Sequence, residues 1–337
     1  MEILDLRHFS SGDLRPLLED EIGMWGSQLS WDYTTSAEMI LRYMDSKILP
    51  GYAAIERGSI CGYSFFVYEE SKGVVGDLFV RDSVAESVRD GGPAPVGHEV
   101  GGHEIVGHEV GGHEIEERLL THVIETLQQS PGVHRVEAQL LAYHAGEVAR
   151  PFLEQGFSRH PRVFMNFEIA KHPQTEPPVP PQFEIRPWSE RDYQPAAGVI
   201  TAAYRGHVDS DINDQYRTLA GSLRFLNNIV RFPGCGTFDA PASFVVYERR
   251  SGALIGLILC SRVRHDVGHI TQVCVLPEYR SAGLGEAMLA ATTKNLRGRG
   301  FHAISLTVTE ANDRAIALYK RIGFETKRVF DAFVWEG

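Results

Sequence analysis

Residues 272–285 combine residue types and spacing that suit the binding of a phosphate group. The apolar run 273–276 predicts a buried strand, which ends at Pro277 because proline has no N–H to give to a ladder. Gly283 and Gly285 follow, just before a helical pattern. At such a turn, backbone N–H groups without partners and the helix dipole stabilise an anion, and glycines let the backbone approach it closely. We therefore expect a phosphate or pyrophosphate seat here, with an ordinary strand–helix turn as the alternative.

Two patterns in the second half resemble segments of one protein family. V-x-P-x-x-R-x-x-G-x-G, from Val275 to Gly285, resembles the acyl-CoA loop of the GNAT superfamily of N-acyltransferases. N-x-x-A-x-x-x-Y-x-x-x-G-F, from Asn312 to Phe324, resembles a second segment of that family, in the family's order. The resemblance implies an acetyl-CoA-dependent N-acetyltransferase, with acetyl-CoA as acyl donor substrate. The acceptor would be a primary amine of a small molecule or a peptide N-terminus.

The same resemblance implies roles for individual residues. It gives acetyl-CoA binding to ten residues: Val273, Cys274, Val275, Arg280, Ser281, Ala282, Gly283, Leu284, Gly285 and Asn312. It gives Tyr319 the role of general acid that protonates the departing thiolate. Alternatives remain: Asn312 is also placed to cap a helix, Tyr319 to pack in a core, Arg280 to be solvated, and Cys274 to be a small buried residue.

A general base must take the proton of the amine before it attacks. His269 begins the strand that enters the loop, where some relatives carry a glutamate base, and histidine has an ordinary pKa of about 6.5. We predict His269 as the base, with a surface strand residue as the alternative and with Glu310 and Asp266 as substitutes. Loops 206–213 and 231–242 are expected to recognise the acceptor, but they carry no family-wide pattern.

The order of elements in residues 1–170 matches that in residues 183–337, which predicts a tandem protein. The fold class is α/β (α+β), with two GNAT-like domains, each a mixed, mostly antiparallel sheet flanked by helices. Residues 171–182 form a proline-rich linker. By resemblance, residues 183–337 are the catalytic domain. Residues 1–170 are a degenerate one, because Phe152 stands where the second half has Tyr319 and because Glu114 and Glu116 stand near the glycine positions, where carboxylates repel a pyrophosphate.

An insert at residues 97–115 repeats a ten-residue unit with His98, His103, His108 and His113. The histidines are five apart, whereas H-E-x-x-H on a zinc-protease helix needs an i, i+4 spacing, and the Gly-Gly pairs oppose a helix. We predict a low-complexity surface loop and no metal site, with adventitious metal binding as the alternative.

Composition narrows the function classes. The net charge of −11 argues against a nucleic-acid partner and favours, through long-range steering, a cationic acceptor. No stretch is apolar for the roughly 20 residues that span a bilayer, and no secretory signal is evident at Met1. The four cysteines form no close pair, which is typical of a cytoplasmic protein, here expected as a monomer or homodimer. Alternative functions are a mycothiol-synthase-like tandem acetyltransferase and a non-catalytic acyl-CoA sensor.

Overall fold

The computed structural model describes residues 1–81, 112–174, 176–231 and 236–337. The strands of these ranges, β1 to β13 in chain order, are Glu2–Asp5, Gly51–Glu56, Ser59–Glu69, Lys72–Val80, Arg135–Gln139, Ser158–Glu168, Phe183–Pro187, Thr237–Phe238, Phe244–Glu248, Leu254–Arg264, Val267–Val275, Ala303–Thr309 and Glu325–Glu336. The helices, α1 to α9, are Ser11–Leu29, Thr34–Asp45, Gly112–Gln129, Ala149–Glu154, Tyr193–Ala203, Asp209–Ile212, Leu219–Arg231, Leu284–Gly298 and Asp313–Ile322.

All of these strands belong to one sheet. Twelve follow one another in the order β1-β2-β3-β4-β5-β13-β6-β12-β11-β10-β9-β7, and β8 pairs with β10. The described pairs β4–β5 and β11–β12 are parallel, and the other described pairs are antiparallel. Helices pack on the sheet, for example α3 on β4 and α8 on β10. The predicted fold class, a mixed, mostly antiparallel sheet flanked by helices, is confirmed.

The two halves of the chain exchange their last strands. In the first half, β5 and β6 are separated by β13, which comes from the second half. In the second half, β12 and β13 are separated by β6, which pairs with β12 from Ala303–Glu168 to Thr309–Arg162. The predicted domain boundaries, residues 1–170 and 183–337, stay a prediction, but the backbone pairing shows that neither range completes its part of the sheet alone.

Side-chain packing follows the exchanged strands. Phe333 of β13 lies in the first-half core, where its ring stacks on that of Phe152 with 4.1 Å between centroids. Met165 and Phe167 of β6 lie in the second-half core, beside Phe324. Each core therefore buries apolar surface contributed by both halves, which couples their stability.

The sequence pattern of residues 212–229 predicts one helical stretch, and this prediction is wrong in its extent. The structure divides it into α6, a 3₁₀ turn at Asp214–Tyr216, and α7. The break occurs because Asn213 is extended and its side chain accepts a hydrogen bond from the Gln215 N–H, which is an alternative to a helical ladder. The segment between α5 and α7 thus follows a bent path.

Four other expectations from the sequence concern smaller features. The surface loop predicted for the His/Glu repeat lies outside the described residues up to position 111, and the last residues of the repeat begin α3 instead. Within the described part of the chain, no group of three or more His, Cys, Asp or Glu side chains could hold a metal ion. No helix in the described ranges has the length and apolar character to cross a bilayer. Cys260 and Cys274 are free thiols, and Cys235 is not among the described residues.

Candidate functional site

A cavity of about 490 Å³ opens where β11 and β12 diverge. The two strands pair only from Val267–Ala303 to Ile270–Leu306, whereas β11 continues along β10 to Val275. The divergence leaves one edge of β11 without a strand partner beyond Ile270, so polar backbone groups face the cavity. The segment after α5, the start of α8 and the helix α9 form the other walls.

The structure brings most of the predicted site residues together. Ten of the predicted residues line this cavity: Val273, Cys274, Val275, Arg280, Ser281, Gly283, Leu284, Gly285, Asn312 and Tyr319. Ala282 is not in the lining and packs against the core beneath the turn. His269 is not in the lining either. The strand–turn–helix segment and the second motif therefore face one space, although they are distant in sequence.

The turn before α8 has the backbone geometry of an anion seat. Ser281 and Gly283 have φ values of 69° and 75°, in the left-handed region that favours glycine, and α8 starts at Leu284. The first N–H groups of a helix have no intrahelical partner, and here they border the cavity. A Cβ added at Gly285 would contact only Leu318, at 3.5 Å, so the protein's own packing does not require glycine there.

Arginine side chains surround this turn. Arg314 donates a hydrogen bond to the Ser281 hydroxyl at 2.7 Å, and Arg321 pairs with Glu286 at 2.8 Å. Arg280 donates instead to two backbone carbonyl oxygens, that of Ala203 at 2.7 Å and that of Val275 at 3.3 Å. Arg280 thus ties the turn to the end of α5, while Arg314 and Arg321, to which the sequence assigned no role, add positive charge at the seat.

Tyrosines form the opposite end of the cavity. Tyr319, Tyr204 and Tyr216 all line it, and the rings of the last two stack with 4.3 Å between centroids. Burial, together with the nearby carboxylate of Asp209, raises the pKa of Tyr319. Its hydroxyl therefore stays protonated at neutral pH. The ring of Tyr319 also packs near Phe324, so the alternative of a core position holds at the same time.

His207 and Asp209 form a pair that sequence analysis did not identify. His207 Nδ1 lies 3.5 Å from Asp209 Oδ2, and both side chains line the cavity. The Asp209 carboxylate also accepts a hydrogen bond from the Thr309 hydroxyl. On the other side, His207 Nε2 lies 3.4 Å from the amide nitrogen of Asn312. The pair lies in the bent segment after α5. In the sequence, the one indication of it was that loop 206–213 was expected to recognise the acceptor.

Asn312 and Cys274 adopt the structural roles that the sequence left open. Asn312 caps α9, because its Oδ1 accepts a hydrogen bond from the Ala315 N–H at 3.2 Å. That bond fixes the amide nitrogen as the donor that faces His207. Cys274 is buried, and burial raises the pKa of its thiol to about 12. A thiol of that pKa is not a nucleophile at neutral pH.

His269 lies in the interior, not at a surface. Its ring packs on Trp31, with 4.9 Å between centroids, and on Phe164, and its Nδ1 lies 2.9 Å from the Ser305 hydroxyl. Burial lowers the pKa of His269 to about 3, helped by the positive charge of Arg162. The first half supplies Trp31 and Phe164. The second half alone contains neither ring, so its sequence suggested a surface position for His269. The structure shows that His269 is buried.

The two substitutes for the base also lie outside the cavity lining. Asp266 is bound to Arg264, whose guanidinium holds the pKa of that carboxyl below its usual range. Glu310 is exposed, and its backbone N–H donates to the Pro161 carbonyl. Among the described lining residues, the imidazole and carboxylate nearest to the tyrosines are those of His207 and Asp209.

Comparison with known sequences identifies the second half. The acetyltransferase (GNAT) family matches residues 211–324. That range contains both the turn and the Tyr319 motif. Two similar curated proteins are mycothiol acetyltransferases, one from Paenarthrobacter aurescens, 41% identical over 26% of this chain, and one from Thermobispora bispora, 38% identical over 26%. The matches cover 28% and 31% of those proteins, so less than a third of each relative is spanned.

Comparison with solved structures extends the fold to the whole chain. A tandem GNAT protein from the clavulanic acid biosynthesis pathway aligns over 99% of this chain and 98% of its own, with a TM-score of 0.56 and 14% identity. A GCN5-related N-acetyltransferase from Sphaerobacter thermophilus aligns over 89% and 85%, with a TM-score of 0.58 and 16% identity. At these identities the comparison shows the fold, which is that of two GNAT units in tandem.

The low pKa of His269 predicts a specific pH dependence of stability. In the unfolded chain the pKa of a histidine is about 6.5, so the unfolded state binds a proton that the folded state refuses until about pH 3. The free energy of unfolding therefore falls as pH decreases below 6.5, by about 2 kcal/mol at pH 5. We expect His269→Gln to remove this part of the difference between urea unfolding at pH 7 and pH 5. His265→Gln, on a side chain 85% exposed, serves as control and should leave the difference unchanged. An unchanged difference in His269→Gln would contradict the buried neutral imidazole.

Proposed function

We propose that this protein is an acetyl-CoA-dependent N-acetyltransferase that acetylates a primary amine in the cavity of its second half. The observation that carries the proposal is the convergence of two distant motifs, the turn at Gly283 and the helix of Tyr319, on one cavity within the range matched by the GNAT family. The net charge of the whole chain agrees with an acceptor that carries a positive charge in solution.

The residues around the cavity fit acetyl-CoA in three respects. The left-handed turn and the start of α8 offer unpaired N–H groups to a pyrophosphate, and Arg314 and Arg321 add charge. The free edge of β11 offers backbone partners to an amide-bearing arm, as in strand addition. The protein's own atoms leave the space beside Gly285 open, since an added Cβ would meet only Leu318 at 3.5 Å. Gly285 is thus explained by the ligand better than by the fold.

The chemistry requires two proton transfers at opposite sides of the reacting carbon. Acetyl-CoA supplies a thioester whose acetyl carbon forms a bond to the amine nitrogen while its bond to sulfur breaks. Tyr319 donates its hydroxyl proton to the departing sulfur, and its raised pKa keeps that proton available at neutral pH. The base takes one proton from the ammonium group and later releases it to solvent. The nitrogen loses a second proton as the amide forms, and this proton balances the one that Tyr319 gives to sulfur.

We propose His207 as the general base, in place of His269. Three polar groups surround the His207 ring: the Asn312 amide nitrogen lies 3.4 Å from Nε2, the Asp209 N–H donates to Nδ1 at 3.2 Å, and the Asp209 carboxylate lies 3.5 Å from Nδ1. A neutral imidazole keeps a lone pair on one ring nitrogen, which can accept a proton from an ammonium group, and the Asp209 carboxylate stabilises the imidazolium that forms. His269 is buried beneath first-half rings and has a pKa of about 3, so it is a poor proton acceptor.

Substitution of Gly285 tests the proposed binding site for coenzyme A. We expect Gly285→Ala to weaken coenzyme A binding by roughly tenfold or more, about 1.4 kcal/mol, because the added methyl group occupies the ligand's space. The free energy of unfolding should not fall, since alanine favours a helix over glycine. Gly298→Ala, at the other end of α8, is the matched control, because its Cβ would meet nothing within 4 Å. Calorimetric titration that gives one affinity for both variants and the parent would overturn the assignment.

Tyr319 tests the chemistry. Tyr319→Phe removes one oxygen and keeps the ring beside Phe324, so we expect kcat to fall by about 10²- to 10⁴-fold with little change in coenzyme A affinity. The assay follows acetyl transfer to a panel of primary amines, corrected for acetyl-CoA hydrolysis. Tyr43→Phe, at an exposed position of α2, is the control. Equal turnover of variant and parent would assign Tyr319 to the core alone. A parent that binds acetyl-CoA and acetylates no amine would favour the sensor function.

His207 tests the base. We expect His207→Gln to lower kcat by about 10²- to 10⁴-fold for an amine that is protonated at the assay pH. For a weakly basic amine that is already neutral, the loss should be much smaller, because no ammonium proton has to be removed. A purely structural effect would lower both rates alike, and that outcome would contradict the role. His302→Gln, at an exposed position, should change neither rate.

A further inference from the structure

The strand exchange brings one first-half side chain into the second-half cavity. Arg162 lies on β6, opposite Thr309 of β12 and Phe330 of β13. Among the described residues that line the cavity, Arg162 alone comes from the first half. It lies at the tyrosine end, as its charge lowers the pKa of Tyr216 against the larger effect of burial. Other arginines surround the anion seat at Gly283, so Arg162 can bind a different group of a ligand.

The hydrogen-bonding capacity of Arg162 is largely unused. Its NH1 donates to the amide oxygen of Gln139 at 2.9 Å, whereas its Nε is buried and has no hydrogen-bond partner among the described residues. The Asp209 carboxylate of the same cavity is engaged by Thr309 and His207. A buried N–H without a partner is unfavourable, and a guanidinium attracts an anion most strongly where water is scarce. The whole chain carries a net charge of −11, so the positive charge of Arg162 is local to the cavity and does not reflect the charge of the chain.

Gln272 offers a second unpaired donor at the same cavity. Its Oε1 accepts hydrogen bonds from the Tyr204 hydroxyl at 2.7 Å and from the Val273 N–H at 2.9 Å. These two donors fix the orientation of the amide, so its Nε2 points away from them. That nitrogen is buried and makes no hydrogen bond of normal length in the described structure, although it lies near the Tyr216 hydroxyl, and the residue is only 4% exposed. Arg162 Nε and Gln272 Nε2 are therefore both donors without a hydrogen bond of normal length among the described residues.

We propose that Arg162, with Gln272, binds a carboxylate of the acceptor, so that the acceptor is an amine that also carries a carboxylate. The planar fork of a guanidinium matches a carboxylate in two parallel hydrogen bonds. The inference rests on the proposed function, since it places the acceptor's amine at His207 and its acid group at Arg162. A free amino acid satisfies both groups, whereas a simple amine or a peptide N-terminus lacks the nearby carboxylate. The first half thus supplies a specificity-determining residue.

The test compares free amino acids with their carboxamides. Each pair differs in the charge and hydrogen-bonding of the acid group; the amine of the carboxamide is also less basic, so the preference of the parent is compared with that of Arg162→Gln at the same pH. With the parent protein we expect kcat/KM for the best amino acid to exceed that for its amide by about 10- to 100-fold, the effect of a hydrogen bond to a charged group. Arg162→Gln should reduce this preference to near one and leave the KM of acetyl-CoA unchanged. Arg262→Gln, at an exposed position of β10, should keep the preference of the parent.

Two outcomes separate the failure of this inference from that of the proposed function. If the parent acetylates amino acids and amides equally, or if Arg162→Gln keeps the preference, the carboxylate site is wrong while the acetyltransferase stands. If no amine is acetylated, the binding of the same amino acids and carboxamides is measured by calorimetric titration in the presence of coenzyme A. Binding of the acid over the amide that is lost in Arg162→Gln supports the site, and an absence of binding by both compounds overturns it.

Discussion

Backbone hydrogen bonding between β6 and the two strands β12 and β13 is the constraint on which the site depends. Because β6 fills the gap between them, β12 is held apart from β13 and can diverge from β11 only at its carboxyl end. That divergence creates the cavity. The same strand carries Phe164, which covers His269. A main-chain feature thus determines which imidazole is sealed from the cavity and which one faces it.

A buried cluster of charges reinforces the contact between the halves. Lys72, at 5% exposure, lies 3.1 Å from Glu137 and 2.7 Å from Asp214. Arg135 donates to the Asp211 carbonyl in the same region. Removing one member of such a buried pair leaves an uncompensated charge, worth about 3–5 kcal/mol. The cluster therefore fixes the bent segment between α5 and α7, and with it Asp209, against the first half. This is a second way in which the first half contributes to the cavity, independent of any ligand of its own.

The parts of the site that could be predicted from the sequence were those encoded by local patterns. A left-handed turn favours glycine, and a helix cap favours a residue such as Asn312, so both leave a signal at fixed spacing. The base could not be predicted in this way, because the burial of His269 depends on Trp31, hundreds of residues earlier in the chain. His207 and Asp209 lie in a segment whose path is set by contacts with the other half. The exchange of strands left no trace in the element order, since both halves have the same order whether or not they exchange.

The exchange also has consequences for how the protein is made and how it changes over evolution. During synthesis β5 and β6 are complete long before β13 exists, so the nascent first half has two unpaired strand edges until the second half has emerged. The halves cannot fold as successive independent units. For the same reason, recombination that replaces one half must preserve the pairing of both exchanged strands at once. A half without chemistry of its own would still be retained under this constraint, because its partner's sheet includes one of its strands.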